Sequence, residues 1–158
     1  MIDVDKLIKE AMLEKNSAKK EAYRAIKAEL LLIQTGSGGQ KARSVDEVDV
    51  VKTVRKLLKE REEQVSMYDA NSRKDLADMY REQITYLKEL LPPEITEDKI
   101  QEAVMTAYPN GFTQKEMGKV IKQIKDIYPT ADGKVISEVV KEYIVWKLDY
   151  PNNIFINR

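Results

Sequence analysis

Lysines at helical spacing between residues 115 and 134 are the side chains with the clearest chemical use in this chain. Lys115, Lys119, Lys122 and Lys125 recur every three or four residues, which places them on the polar side of an α-helix. Ammonium groups in such a row attract phosphates, so the pattern is typical of a nucleic-acid contact. It is equally typical of an ordinary solvated helix face, and the spacing alone leaves both interpretations open.

The elements that carry these lysines are predicted to be two consecutive helices. Thr113 and Glu116 have the spacing of a capping box, which starts the first helix. Its apolar face is predicted to consist of Met117, Val120, Ile121, Ile124 and Ile127. Pro129 ends this helix, and Asp132 is placed to cap the next one, which begins with Gly133 and Lys134.

Two glycines accompany the lysines. Gly118 lies inside the predicted helix, where glycine costs about 1 kcal/mol relative to alanine. Close packing of a neighbouring helix is the favoured reason for it, and close approach of a ligand backbone is the alternative. Gly133 would allow the same approach at the start of the next helix. The candidate nucleic-acid-binding residues are therefore Lys115, Gly118, Lys119, Lys122, Gly133 and Lys134.

Composition restricts the chemistry further. The 158 residues include no Cys and no His, which excludes disulfides, thiolate nucleophiles, Cys/His zinc sites and the commonest general base. We therefore predict no catalytic residue, no metal ligand and no cofactor. No window approaches the roughly 18 apolar residues of a membrane span, and Met1 leads into a charged helical pattern rather than a signal sequence. We expect a soluble, cytoplasmic protein without a membrane partner.

The overall charge is balanced, with 27 Lys and Arg against 27 Asp and Glu. A long-range positive field is therefore absent, and any contact with nucleic acid must be local. Residues 112–148 carry seven Lys and five acids, whereas residues 92–111 carry one Lys and four acids. The helix that begins near Lys115 is the best basic patch.

The rest of the chain predicts helices and no convincing strand, which makes the fold class all-α. Ser44 and Glu47 predict the cap of a long helix, Asn71-Ser72 breaks it, and an antiparallel return helix ends at Pro92-Pro93. The glycine run at 35–39 is predicted to be a loop, because it lacks the Gly-Lys-Ser/Thr ending of a phosphate-binding loop. We predict a long helical hairpin part at 1–91, a compact three-helix domain at 95–148 and an extension at 149–158.

Several of these segments together resemble the YqeY family. The strongest is Lys115-Glu116-Met117-Gly118-Lys119-Val120 followed by Thr130-Ala131-Asp132-Gly133-Lys134, which is similar to the tail module that this family shares with the B subunit of the aspartyl/glutamyl-tRNA amidotransferase. Weaker matches are Arg24 to Glu29, Lys56 to Glu63, Asn71 to Leu76 and Leu87 to Thr96. The resemblance covers residues 6 to 146.

The chain departs from the family pattern at several positions. Ser72 stands where Gly is usual, and Leu91 replaces the usual Tyr before the hinge proline. Tyr80 and Gln83 occupy places where the family often has Glu. These changes weaken any claim that an acidic site is preserved in the long hairpin.

The resemblance implies a protein that binds tRNA or assists a tRNA amidotransferase. The family is described under carbon-nitrogen ligase activity with glutamine as amido-N-donor, but the catalytic part of the B subunit has no counterpart here, so we expect no catalysis by this chain alone. The implied partners are tRNA and an enzyme of tRNA processing or aminoacylation. The alternative is a helical protein-interaction adaptor that uses the long hairpin, with exposed Met67, Tyr68 or Tyr80, and binds no RNA.

Overall fold

The computed structural model describes residues 1–149, with side chains through Ile144. This part of the chain forms α-helices joined by loops and two short 3₁₀ turns, and it contains no strand, which confirms the all-α prediction. The helices are α1 (Val4–Leu13), α2 (Ser17–Thr35), α3 (Glu47–Ala70), α4 (Lys74–Glu89), α5 (Glu97–Ala107), α6 (Met117–Ile127) and α7 (Gly133–Asp149). The extension predicted at 149–158 lies, beyond Asp149, outside the described residues.

The chain divides into two compact units, Met1–Pro92 and Pro93–Arg158. In the first unit, α3 and α4 pack along each other as an antiparallel pair, and α2 packs on both of them. The side chains at the centre of its core are fully or almost fully buried and come from α2, α3 and α4; they include Tyr23, Ile26, Val54, Leu57 and Leu87. Because these residues recur at helical spacing, they lie on one side of each helix, and their burial determines which side faces the core.

Asn16 joins the first two helices to the end of α4. Its side-chain oxygen accepts a hydrogen bond from the backbone N–H of Lys19 at 3.1 Å and so caps α2. Its amide nitrogen donates to the hydroxyl of Tyr86 at 2.9 Å. One asparagine therefore ends the loop after α1 and holds it against α4.

The turn between α3 and α4 contains one of the departures from the family pattern, Ser72, in a backbone conformation that favours glycine. Ser72 has φ of 58°, in the left-handed region that glycine adopts without strain. The N–H of Arg73, the next residue, donates to the carbonyl of Tyr68 at 2.9 Å and closes the turn. A serine in this conformation carries a steric cost of about 1 kcal/mol that glycine would not carry.

We therefore expect Ser72→Gly to raise the free energy of unfolding by about 0.5 to 1 kcal/mol, measured by urea denaturation. The matched control is Ser66→Gly, at an exposed position inside α3, where the same substitution should lower stability by about 0.5 kcal/mol. A loss of stability at both positions would contradict the assigned turn geometry.

The start of α3 differs from the sequence prediction. The cap is Asp46 rather than Ser44: the Asp46 carboxylate accepts from the N–H of Asp49 at 2.8 Å, and the Asp49 carboxylate accepts from the N–H of Asp46 at 3.1 Å. Arg43 donates to both oxygens of Asp49, each at 2.6 Å. The Arg43 guanidinium, which bonds to the nearly buried Asp49 carboxylate, lowers the pKa of that carboxyl from 3.8 to about 2.

This ion pair predicts a pH-dependent contribution to stability. Because the pKa of Asp49 is lower in the folded state, its stabilisation is present above pH 3.8 and is lost as the pH falls through about 2. Since Arg43 is half exposed, we expect Asp49→Asn to cost only about 1 kcal/mol at pH 7. Urea denaturation should show the gap between the two proteins closing between pH 4 and pH 2. A gap of the same size at pH 2 would contradict this account.

The second unit has a separate core that α5, α6 and α7 share. Among the described residues, nine buried side chains form it, all of them in this unit, and the largest is Phe112, in the loop before α6. Val120 and Ile124 are fully buried, as the helical pattern predicts. The prediction for Ile127 is wrong: its side chain is 54% exposed, because α6 ends there and no described neighbour covers the last turn.

Candidate nucleic-acid interface

The capping interactions predicted for the C-terminal helices orient the lysine-bearing elements. The Glu116 carboxylate accepts from the backbone N–H of Thr113 at 2.7 Å and from its hydroxyl at 2.9 Å, closing the 3₁₀ turn Gln114–Glu116 that precedes α6. Asp132 accepts from the backbone N–H of Lys134 at 2.8 Å and starts α7. The start of α7 is therefore the predicted one, whereas the predicted capping box at Thr113 starts the 3₁₀ turn and α6 itself begins at Met117.

The core then fixes which way the lysines point. Val120 and Ile124 are buried in the second core. At 100° per residue, Lys119 and Lys122 lie about 140° and 160° around the helix from Ile124, which places them on the solvent side. Lys115 precedes them in the 3₁₀ turn and is also exposed. We call Lys115, Gly118, Lys119 and Lys122 the lysine face.

The lysines of this face are not neutralised by neighbouring acids. Among the described residues, Lys115, Lys119, Lys122 and Lys134 have no carboxylate within ion-pair distance, taken as 4.0 Å. In the first unit, by contrast, exposed lysines do form ion pairs, for example Lys56 with Glu29 at 2.7 Å. The positive charge of the lysine face is therefore available to an external anion.

Acidic residues near the face limit its extent. Asp126 continues the same side of α6 one turn beyond Lys122, so the row of positive charge stops there. Glu116 and Asp132 are used as helix caps, where the partial positive charge of each helix N-terminus offsets part of their negative charge. The basic surface is small, which agrees with the balanced charge of the whole chain.

Gly118 is exposed, and its surroundings are open. Among the described residues, no atom apart from the two chain neighbours and the local helix backbone lies within 4 Å of the position that a Cβ would occupy. Within the part of the chain that the structure describes, no neighbouring helix therefore packs closely against this glycine. The alternative from the sequence, close approach of a ligand, is taken up below.

Gly133 has a different environment, because the side chain of Lys125, which was not among the predicted binding residues, lies next to it. A Cβ on Gly133 would lie 3.3 Å from both Cε and Nζ of Lys125. The Lys125 side chain therefore reaches from α6 to Gly133 at the start of α7. Gly133 is the residue immediately before Lys134. Lysine spacing already placed Lys125 on the polar side of α6, but its contact with Gly133 depends on how the two helices pack.

Other parts of the molecule offer less chemistry. Within the described residues, no group of Asp or Glu side chains is arranged to hold a metal ion. The first unit has an open groove of about 440 Å³, where Lys27 and Asp5 form an ion pair of 2.5 Å. Hydrogen bonds to Glu14 and Glu29 raise the pKa values of Lys19 and Lys56, so these amines stay protonated and are poor nucleophiles.

The surface that the adaptor hypothesis uses is less exposed than expected. Met67 is 48% exposed, but Tyr68 and Tyr80 are half-buried and stack on each other with ring centroids 5.7 Å apart. The guanidinium of Arg61 lies 5.8 Å from the Tyr80 ring centroid, and its Nε donates to Gln83 at 3.0 Å. The two tyrosines therefore hold α3 and α4 together. The apolar side chains of this surface that a partner protein could contact are then mainly methionines.

The fold and this surface define an all-α protein of two compact units, the second of which carries a small unpaired basic face. A family model described as Yqey-like protein matches residues 3–144. The chain belongs to the YqeY family. No curated protein matches it. Over the described residues, no helix has the length and apolar character that crossing a membrane requires.

Proposed function

We propose that this protein is a tRNA-binding accessory protein that uses the lysine face, together with Gly133 and Lys134, to contact the folded body of tRNA. The observation that carries the proposal is the row of exposed lysines in the 3₁₀ turn before α6 and along α6, which form no ion pair with a carboxylate of the described residues. In the first unit, by contrast, several exposed lysines and arginines are paired with carboxylates. Unpaired ammonium groups are the ones that can exchange counterions for phosphates without first breaking an ion pair.

The expected mode of recognition is electrostatic and local. Lysine is a compact point charge, and a row of such charges on a rigid helix can follow phosphates along a nucleic-acid backbone. Folded RNA is recognised mainly by its shape and by sugar and phosphate contacts, which suits a face of this kind. The choice of tRNA rests on the resemblance of the second unit to the tail module of the amidotransferase B subunit.

The proposed role is accessory rather than catalytic. Glutamine-dependent amide transfer needs a nucleophile that takes ammonia from glutamine and a site that activates a carboxylate with ATP. The sequence contains no Cys and no phosphate-binding loop for these tasks. We therefore propose that the carbon-nitrogen ligase activity under which the family is described belongs to a separate tRNA enzyme, and that this protein assists that enzyme. We propose that both act in the cytoplasm.

A second candidate function is a protein-interaction adaptor. It is favoured by Met67 and Met79 on the α3–α4 hairpin, whose side chains are 48% and 53% exposed. Flexible, polarizable methionines are common on surfaces that bind other proteins. In this case the lysine face would be an ordinary solvated surface.

Purification from cells, with and without ribonuclease, distinguishes the two candidates. If the tRNA proposal holds, tRNA co-purifies with the protein, and ribonuclease releases any associated enzyme. The adaptor function requires a protein partner that stays bound after ribonuclease treatment and a complex without RNA. The second result would overturn the proposed function.

A further inference from the structure

The described side chains of the second unit include basic residues of one type only. Residues 93–144 contain seven Lys and no Arg. Arginine is the residue that most often reads guanine through two parallel hydrogen bonds, and its planar guanidinium also stacks on bases. Lysines supply charge without this planar geometry. The lysine face therefore has strong donors for phosphates and weak means of distinguishing one base from another.

The aromatic side chains that the structure describes in this unit pack in or against its core. Phe112 is 1% exposed, and Tyr108 packs edge-on against it with ring centroids 5.5 Å apart. The Tyr108 hydroxyl bonds to the side chain of Gln123. Tyr128 and Tyr143 are half-buried against the same core. Among the described side chains, the lysine face thus has no aromatic ring on which an unpaired base could stack.

Gly118 adds an open point in the middle of the face. Among the described residues, apart from its two chain neighbours and the local helix backbone, nothing lies within 4 Å of a Cβ placed on Gly118, and Lys115, Lys119 and Lys122 around it are exposed. A ligand surface can therefore approach the helix main chain more closely here than at any position with a side chain. Such an approach suits a rigid, regular ligand better than a flexible single strand.

From these three observations, and resting on the proposed function, we infer that the lysine face binds the sugar-phosphate backbone of a double-helical RNA stem without reading its sequence. Single-stranded RNA is usually held by stacking its bases on aromatic rings, and the described side chains supply none to this face. A stem buries its bases and displays phosphates and ribose hydroxyls, which lysines and an open glycine can contact. The face would consequently bind tRNA stems of different sequence alike.

The test compares RNAs with the same number of phosphates. Two hairpins with unrelated stem sequences and one unstructured oligouridylate are titrated with the full chain at one salt concentration, with bulk tRNA as the reference. We expect both hairpins to bind within about twofold of each other and at least about tenfold more tightly than the oligouridylate. Equal affinity for the oligouridylate, or a large difference between the hairpins, would overturn this inference while tRNA binding still supports the proposed function. Failure to bind any of the RNAs, tRNA included, would overturn both.

Gly118→Ala tests the point of closest approach. Alanine favours the helix, so the melting temperature should rise by a few degrees, while hairpin affinity should fall by about three- to tenfold because the methyl group holds the ligand away. Thr106→Ala, at an exposed position of α5, is the matched control, which should also raise helix propensity but leave affinity unchanged. Unchanged affinity in Gly118→Ala would exclude Gly118 as the contact point.

Discussion

Replacing both Lys119 and Lys122 with Glu should reduce tRNA affinity by roughly 100-fold, because two phosphate contacts are lost and two repulsive charges take their place. Both side chains are exposed and without ion pairs among the described residues, so the substitutions remove no internal contact. The helical circular dichroism signal and the melting temperature should therefore stay close to those of the unchanged protein. Filter binding or fluorescence anisotropy with labelled tRNA measures the affinity.

The control for this experiment makes the same change in charge elsewhere in the unit. Lys99 on α5 and Lys141 on α7 are also exposed lysines outside the lysine face. Replacing both with Glu should weaken binding only slightly, through the altered net charge. An equal loss in the control would mean that total charge governs binding, and unchanged affinity in Lys119→Glu with Lys122→Glu would refute the assigned site.

Phe112→Ala should unfold the second unit and leave the first unit folded. Phe112 is 1% exposed and is the largest fully buried side chain of the described residues, so its removal should cost about 3 to 5 kcal/mol. A core as small as that of Pro93–Arg158 rarely supplies more than this amount. Hydrogen exchange should show that the amides of α5, α6 and α7 lose protection while those of α2, α3 and α4 keep it.

Phe112→Leu is the matched control for that substitution. It keeps most of the apolar volume, so we expect a loss of stability without unfolding of the unit at room temperature. Simultaneous loss of protection in all helices of the Phe112→Ala protein would show that the chain unfolds as one cooperative body. That result would contradict the independence implied by the two separate cores.

The helices could be predicted from sequence because their apolar residues recur with a helical period. The boundary of α3 could not, since Ser44 with Glu47 and Asp46 with Asp49 both fit a capping pattern. The choice depends on Arg43, whose two hydrogen bonds fix the Asp49 carboxylate where it can accept the N–H of Asp46. Periodicity also placed Ile127 in the core, although neighbouring helices decide how far along α6 burial extends.

The candidate site was predictable to a similar degree. The helical period alone placed Lys119 and Lys122 on the polar side of α6. Two other properties depend on what surrounds the helix: the lack of ion pairs between these lysines and described carboxylates, and the open space beside Gly118 among the described residues. The approach of Lys125 to Gly133 likewise depends on the packing of α6 against α7. Helical spacing specifies directions around one helix but not the neighbours that occupy them.

The most direct test of the central claim is the binding of purified protein to bulk tRNA across a salt series, with double-stranded DNA of similar length as the comparison. Our account predicts saturable binding that favours tRNA, with a slope of log affinity against log salt of about −2 to −4, as expected for the few phosphates that this small face can reach. Equally weak binding to tRNA and DNA at every salt concentration would contradict it, and the α3–α4 hairpin and its protein partners would then be the place to look for function.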